Sequence, residues 1–165
     1  DKLVTGVQTC ALPIYYALRH TLLRDVNAAL DQDRAAAMAR FSQDWKDGRG
    51  KLAVTATLLQ FRAENPDVFA SGGYEGVTVD GPDSEHVCAF LRRGSDTCML
   101  VAAALLPRRL EEHGLSPDTI LQVPHDGHRE MWRDLLSGRT TDIRHGEVAS
   151  ANLFARLPVA VLVNE

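Results

Sequence analysis

The chain has 165 residues, 45% of them hydrophobic and 24% charged, with a formal net charge of −4. A chain of this length buries about 70% of its unfolded surface, and this apolar content excludes disorder over most of it. The lack of a Lys/Arg surplus argues against nucleic acid as a partner, and the longest apolar run, Cys98 to Leu106, falls far short of the roughly 20 residues that span a bilayer.

Residues 4–14, VTGVQTCALPI, hold no sustained strand or helix period, and Gly6 and Pro13 punctuate them. The stretch resembles the in-frame translation of a sequencing-library adapter. Residues 1–14 are therefore expected to be a non-native scar on a chain truncated at its amino end. From residue 15 to 30 the apolar positions Tyr15, Leu18, Leu22, Val26 and Ala29/Leu30 recur with the helical period, which predicts an amphipathic helix. The pattern continues over 31–45 with Met38, Phe41 and Trp45 on one face, until Asp47-Gly48-Arg49-Gly50 breaks it. A third helix is expected over 49–64. It carries Leu52, Ala56 and Leu59 on one stripe and Val54, Leu58 and Phe61 on another, which implies a wide buried face. Pro66 ends it, because the residue before a proline is pushed out of the helical region.

Beyond Phe69 the pattern changes to short apolar runs separated by turn residues. Strands are expected over 76–80, 86–91, 97–105, 119–123, 132–137 and 158–163. Gly81-Pro82-Asp83 and Arg93-Gly94-Ser95-Asp96 both read as hairpin connections, which would make the strands they join antiparallel neighbours. The stretch 106–117 is more polar and could form a short helix. The expected architecture is α+β, with a helical segment over 15–69 followed by an antiparallel β-sandwich over 70–165.

Few residues could carry chemistry. His125-Asp126-Gly127-His128 is the densest set of candidate metal ligands, yet Pro124 and Gly127 mark a loop and no third ligand is evident, so a solvated turn is the better reading. Asp126-Gly127-His128-Arg129 resembles the DGxR stretch before the nucleophile of α-amylase-type enzymes. That chemistry requires a carboxylate two residues beyond the arginine, where Met131 stands here. Three cysteines without CxxC spacing make neither a zinc cage nor a disulfide framework, and Cys88 and Cys98 are expected to be two buried thiols set diagonally on one hairpin. Glu111-Glu112 reads as a solvated helix face, and Lys51 as a solvent-facing residue. Because sugars stack on aromatic rings, Trp45, Tyr74 and Trp132 are candidates for carbohydrate contact. Core packing is the better reading for Trp45 and Trp132, while Tyr74 is more open to a surface role. No catalytic residue, metal or cofactor is assigned.

Several motifs occur in a telling order. Trp45-Lys46-Asp47-Gly48-Arg49-Gly50-Lys51 is followed by Phe61-Arg62, Asn65-Pro66-Asp67-Val68-Phe69 and Gly73-Tyr74. Then come Gly81-Pro82, His86-Val87, Ala89-Phe90 and Pro107-Arg108. Trp132-Arg133-Asp134-Leu135-Leu136-Ser137-Gly138 and Leu153-Phe154-Ala155-Arg156-Leu157-Pro158-Val159-Ala160-Val161-Leu162 close the series. Together they are similar to the carboxy-terminal part of malto-oligosyltrehalose synthases, departing at Ser116-Pro117-Asp118-Thr119, where that family tends to carry a Trp-Gly before the Asp-Thr.

The resemblance implies a parent enzyme with an α-amylase-type (β/α)₈ barrel, which converts the reducing-end α-1,4 linkage of a malto-oligosaccharide to α,α-1,1 in trehalose biosynthesis. It implies a cytoplasmic location and catalytic carboxylates upstream of this chain. The expected partner is a malto-oligosaccharide bound through the missing barrel, and the fragment alone should be inactive and prone to self-association. The alternatives are a stand-alone maltodextrin-binding sandwich and a structural module unrelated to sugar.

Overall fold

A computed structural model describes residues 13–105, 112, 114–124 and 130–164. The chain divides into two compact units, Asp1–Ala56 and Thr57–Glu165. The adapter-like residues 4–12 lie outside the described residues, as do the side chains of Pro13 and Ile14.

Helix α1 (Pro13–Gln43) is two helical segments joined at Asp33, whose backbone is extended (φ −155°, ψ 94°). The Asp33 carboxylate accepts a hydrogen bond from the Ala36 amide at 3.0 Å, so Asp33 caps the second segment. Val26, Leu30, Ala37, Met38 and Phe41 are buried along the two segments. The expected stripe is shorter at its amino end than its spacing suggests: Leu18 is 57% exposed, and Tyr16 beside it 67%.

A short 3₁₀ turn (Trp45–Asp47) and Gly48 at φ +80° then interrupt the helical run. The Asp47 carboxylate accepts the Arg49 amide at 2.8 Å, starting α2 (Arg49–Glu64). Only Ala53 and Phe61 are fully buried on α2, and Leu59 is exposed, so its buried face is narrower than the two stripes expected. Hydrophobic periodicity reports which residues could be covered, not how much surface a neighbour covers. Pro66 both ends α2 and occupies the first turn of a short helix, α3 (Pro66–Ala70), a position where its missing N–H costs nothing.

Nine strands follow among the described residues: β1 (Gly73–Gly76), β2 (Thr78–Asp80), β3 (Val87–Arg93), β4 (Cys98–Ala104), β5 (Ile120–Gln122), β6 (Met131–Asp134), β7 (Thr140–Asp142), β8 (Glu147–Ala149) and β9 (Val159–Asn164). They form a six-stranded sheet in the order β1-β3-β4-β9-β6-β7 and a three-stranded sheet in the order β2-β5-β8. Every pairing is antiparallel. Alternation decides which residues meet: Ala89, Leu91, Leu100, Ala102, Trp132 and Leu162 from the larger sheet join Leu121 and Val148 from the smaller in one buried cluster. A four-residue helix, α4 (Ser150–Leu153), and Phe154 close one end.

The α+β reading, helices followed by antiparallel strands, matches this architecture. The β3–β4 hairpin forms around Gly94-Ser95-Asp96-Thr97, with Arg93 opposite Cys98. The Gly81-Pro82-Asp83 connection is not a hairpin: β2 pairs with β5 in the other sheet. Hydrogen bonds explain the difference. The Asp83 amide donates to Thr119 Oγ1 at 3.1 Å, and the Asp83 carboxylate accepts the Ser116 amide at 2.8 Å, which ties this turn to the approach of β5.

Strand β6 is shorter than expected. The Asp134 carboxylate accepts the amides of Leu136 and Ser137 and the Ser137 hydroxyl, folding 135–137 into a turn. Strands β1, β7 and β8 lie outside the expected runs because they carry no apolar alternation.

Candidate functional site

The candidate residues singled out in the sequence do not converge. Trp132 is 6% exposed and belongs to the core between the sheets, as its position at the start of an alternating strand suggests. Tyr74, on the edge strand β1, is 66% exposed, and its ring lies 5.1 Å from that of Phe90 at an interplanar angle of 31°. Lys51 is exposed on α2, and Glu112 is exposed. The Trp45 side chain, Glu111 and the whole of His125-Asp126-Gly127-His128-Arg129 lie outside the described residues. Among the described residues, no three of His, Cys, Asp or Glu are grouped so as to hold a metal ion.

The cysteine expectation needs correction. Cys88 stands opposite Ala103 and Cys98 opposite Arg93, so the two lie five positions apart along the β3–β4 ladder, about 17 Å at the strand rise. Cys98 packs toward the core, whereas Cys88 is exposed on the other face. They are therefore not two buried thiols.

What the structure does assemble is a clasp between α3 and the tip of the β3–β4 hairpin, built from the Asn65-Pro66-Asp67-Val68-Phe69 motif. The Asp67 carboxylate accepts both the amide and the hydroxyl of Ser95 at 2.8 Å. Those two bonds, the amide first, hold the Asp67 carboxyl below its ordinary value. From the strand side, the Arg92 guanidinium donates to the carbonyls of Val68 (2.9 Å) and Phe69 (3.1 Å). These are carbonyls that a five-residue helix leaves without intrahelical partners. Arg62 and Arg92 each place a guanidinium 5.7 Å from the centre of the Phe69 ring, and Phe61 meets that ring edge-on.

Gly72 closes the clasp by lying so near that a Cβ there would sit 2.7 Å from the Arg93 carbonyl oxygen and closer still to that of Val68. Sequence reasoning named these residues as parts of a motif but missed that they are one unit. The available signal was a proline-initiated helix turn whose aspartate follows at once, with an unusual Gly pair downstream.

The Asp134 turn is a second focus. Its carboxylate also accepts the Val161 amide at 3.4 Å, joining the 132–138 motif to the 153–162 motif. Like the clasp, this is architecture: it shapes loops and leaves the carboxylate fully engaged. Neither arrangement can act as an acid–base pair.

No protein-family model matches the chain. Two curated relatives, from two strains of Mycobacterium tuberculosis and both carrying the name maltooligosyl trehalose synthase, are 39% identical to it over 115 residues. Those residues are 70% of this chain and 14% of each relative. Among solved structures, a single-residue variant of maltooligosyltrehalose synthase from Arthrobacter ramosus superposes with a TM-score of 0.54 at 32% identity. It covers 78% of this chain and 17% of that one. The chain thus spans about one-seventh of the length of the curated relatives it matches. In sequence and in fold alike, the chain is similar to a segment of maltooligosyltrehalose synthases.

Proposed function

We propose that the chain is the carboxy-terminal portion of a maltooligosyltrehalose synthase whose full-length form converts the reducing-end α-1,4 linkage of malto-oligosaccharides to α,α-1,1. The observation that carries this reading is the coincidence of the 39% identity with an element order of helices followed by antiparallel strands. In this reading α1 and α2 are the last helices around a (β/α)₈ barrel, and the strands form the sandwich that follows it. The substrate is a malto-oligosaccharide held by the barrel, and the enzyme works in the cytoplasm. No helix among the described residues is long and apolar enough to cross a membrane.

Retaining transfer at an anomeric carbon needs two carboxyl groups about 5–5.5 Å apart, one as nucleophile and one as acid and base. The acids placed above have other work: Asp67 and Asp134 accept backbone hydrogen bonds, and Asp33 and Asp47 cap helices. In this proposal the chain alone is inactive, and its role is to cover the barrel and to stabilise it. Incubation with maltohexaose followed by NMR of the anomeric protons should show no α,α-1,1 product. Appearance of that product would overturn the inactivity. A reading frame extended upstream that encodes no barrel would overturn the parentage.

A second reading, a maltodextrin-binding sandwich, keeps one supporting observation, the exposed Tyr74 stacked on Phe90. Burial of Trp132 removes another aromatic from any such platform. Calorimetry with millimolar maltoheptaose separates the readings: heat that is lost in Tyr74→Ala would favour the binding module.

A further inference from the structure

We propose that a cleft between the β6–β7 turn and the segment entering β9 is a binding site for a small oxyanion of the phosphate class. The proposal stands independently of the activity proposed above, because every residue it uses lies in the Thr57–Glu165 unit and it needs no barrel. The cleft encloses about 130 Å³, roughly ten times the volume that one water needs. Its walls come from the β6–β7 turn and β7 on one side and from α4 and the segment entering β9 on the other, so residues apart in sequence face one space.

Arg139, Thr140, Thr141, Asn152 and Arg156 line the cleft. The three described ion pairs use Arg49, Arg93 and Arg144, so the guanidiniums of Arg139 and Arg156 are left without a carboxylate among the described residues. The side-chain donors of Asn152, Thr140 and Thr141 are likewise uncommitted there. Ala160 and Leu162, which are 3% and 1% exposed, also line it.

One acid lines the cleft, Asp134. Its two oxygens already accept the amides of Leu136, Ser137 and Val161 and the Ser137 hydroxyl. Two cations against one satisfied carboxylate leave a positive balance, and the surrounding uncommitted groups are donors. A guanidinium presents its donors in a fork that matches the oxygens of a phosphate. A neutral sugar would satisfy hydroxyl and amide donors but would leave both guanidinium charges unanswered.

The test is titration of the full chain with inorganic phosphate, with a hexose phosphate and with maltose, followed by calorimetry and by the amide resonances of Thr140 and Thr141. Saturable phosphate binding that weakens as salt rises is expected. Arg139→Gln and Arg156→Gln should each weaken it by about tenfold while leaving the melting temperature without ligand unchanged. Tighter binding of the hexose phosphate than of inorganic phosphate would identify the source as a phosphorylated sugar, and the reverse would identify the free ion. No saturable binding of either, equal binding by the double variant, or binding of maltose in preference to both would overturn the proposal.

Discussion

At the scale of single residues, backbone geometry and hydrogen-bond supply account for the positions that stand out. Gly81 has φ +110°, and a Cβ there would meet Thr119 Cα at 2.8 Å. Gly81→Ala is therefore both strained and crowded, and should destabilise the protein by on the order of 2–4 kcal/mol, read as a fall in the urea midpoint. Gly72→Ala fails for a different reason: rigid backbone carbonyls of Val68 and Arg93 occupy the space. Asp67 makes a pH prediction. Its carboxyl titrates below the unfolded value because the charged form accepts the Ser95 amide and hydroxyl. The stabilisation is thus present above the unfolded aspartate pKa, about 3.9, and is lost as pH falls through the folded one. Hydrogen exchange at the Ser95 amide should accelerate below about pH 4 relative to other hairpin-tip amides, and Asp67→Ala should abolish that difference. Unchanged protection at Ser95 in Asp67→Ala would show that the clasp does not depend on this carboxylate.

At the scale of elements, the two sheets depend on one shared cluster more than on individual strand propensities. Trp132 is inserted between β6 and the smaller sheet, and its truncation leaves a void that rigid strands cannot close. Trp132→Ala should cost about 3–5 kcal/mol, measured by chemical denaturation. Tyr74→Ala, on the exposed edge, should cost far less by the same measurement, since its ring is already two-thirds in water. The loop elements behave differently again. Asp134→Ala would orphan two backbone amides at the β6–β7 turn and that of Val161 on β9, and its cost of about 1–3 kcal/mol reflects unsatisfied donors rather than lost apolar contact.

At the scale of the whole molecule, the exposed apolar residues bear on how the chain behaves in solution. Tyr16 and Leu18 on α1 and Leu59 on α2 are each more than half exposed. Tyr16, Leu23 and Leu52 also line a shallow apolar depression in the first compact unit. Exposed apolar surface drives association when nothing covers it. The chain should therefore elute in size-exclusion chromatography as a concentration-dependent oligomer, and Leu18→Lys should shift it toward monomer. A monodisperse monomer at high concentration would argue against these helices having evolved to lie against another body.

Much was legible from sequence alone. The helical front and β-rich rear follow from a change of hydrophobic period near Phe69, because side chains repeat every 3.6 positions on a helix and every second one on a strand. The burial of Trp132 and the β3–β4 hairpin followed from alternation and turn chemistry. The ordered motifs carried the family resemblance, without any assembled set of catalytic groups.

Only tertiary structure decided the rest. Whether Gly81-Pro82-Asp83 closes a hairpin depends on Asp83 finding Thr119 and Ser116, more than thirty residues away. Whether Cys88 is covered depends on which sheet face has a neighbour. That Arg139 and Arg156 face one cleft depends on the Asp134 turn reaching β9. A local pattern sets what each segment prefers, because neighbouring residues share one backbone conformation. Which distant segment supplies its partner is a property of the packed chain.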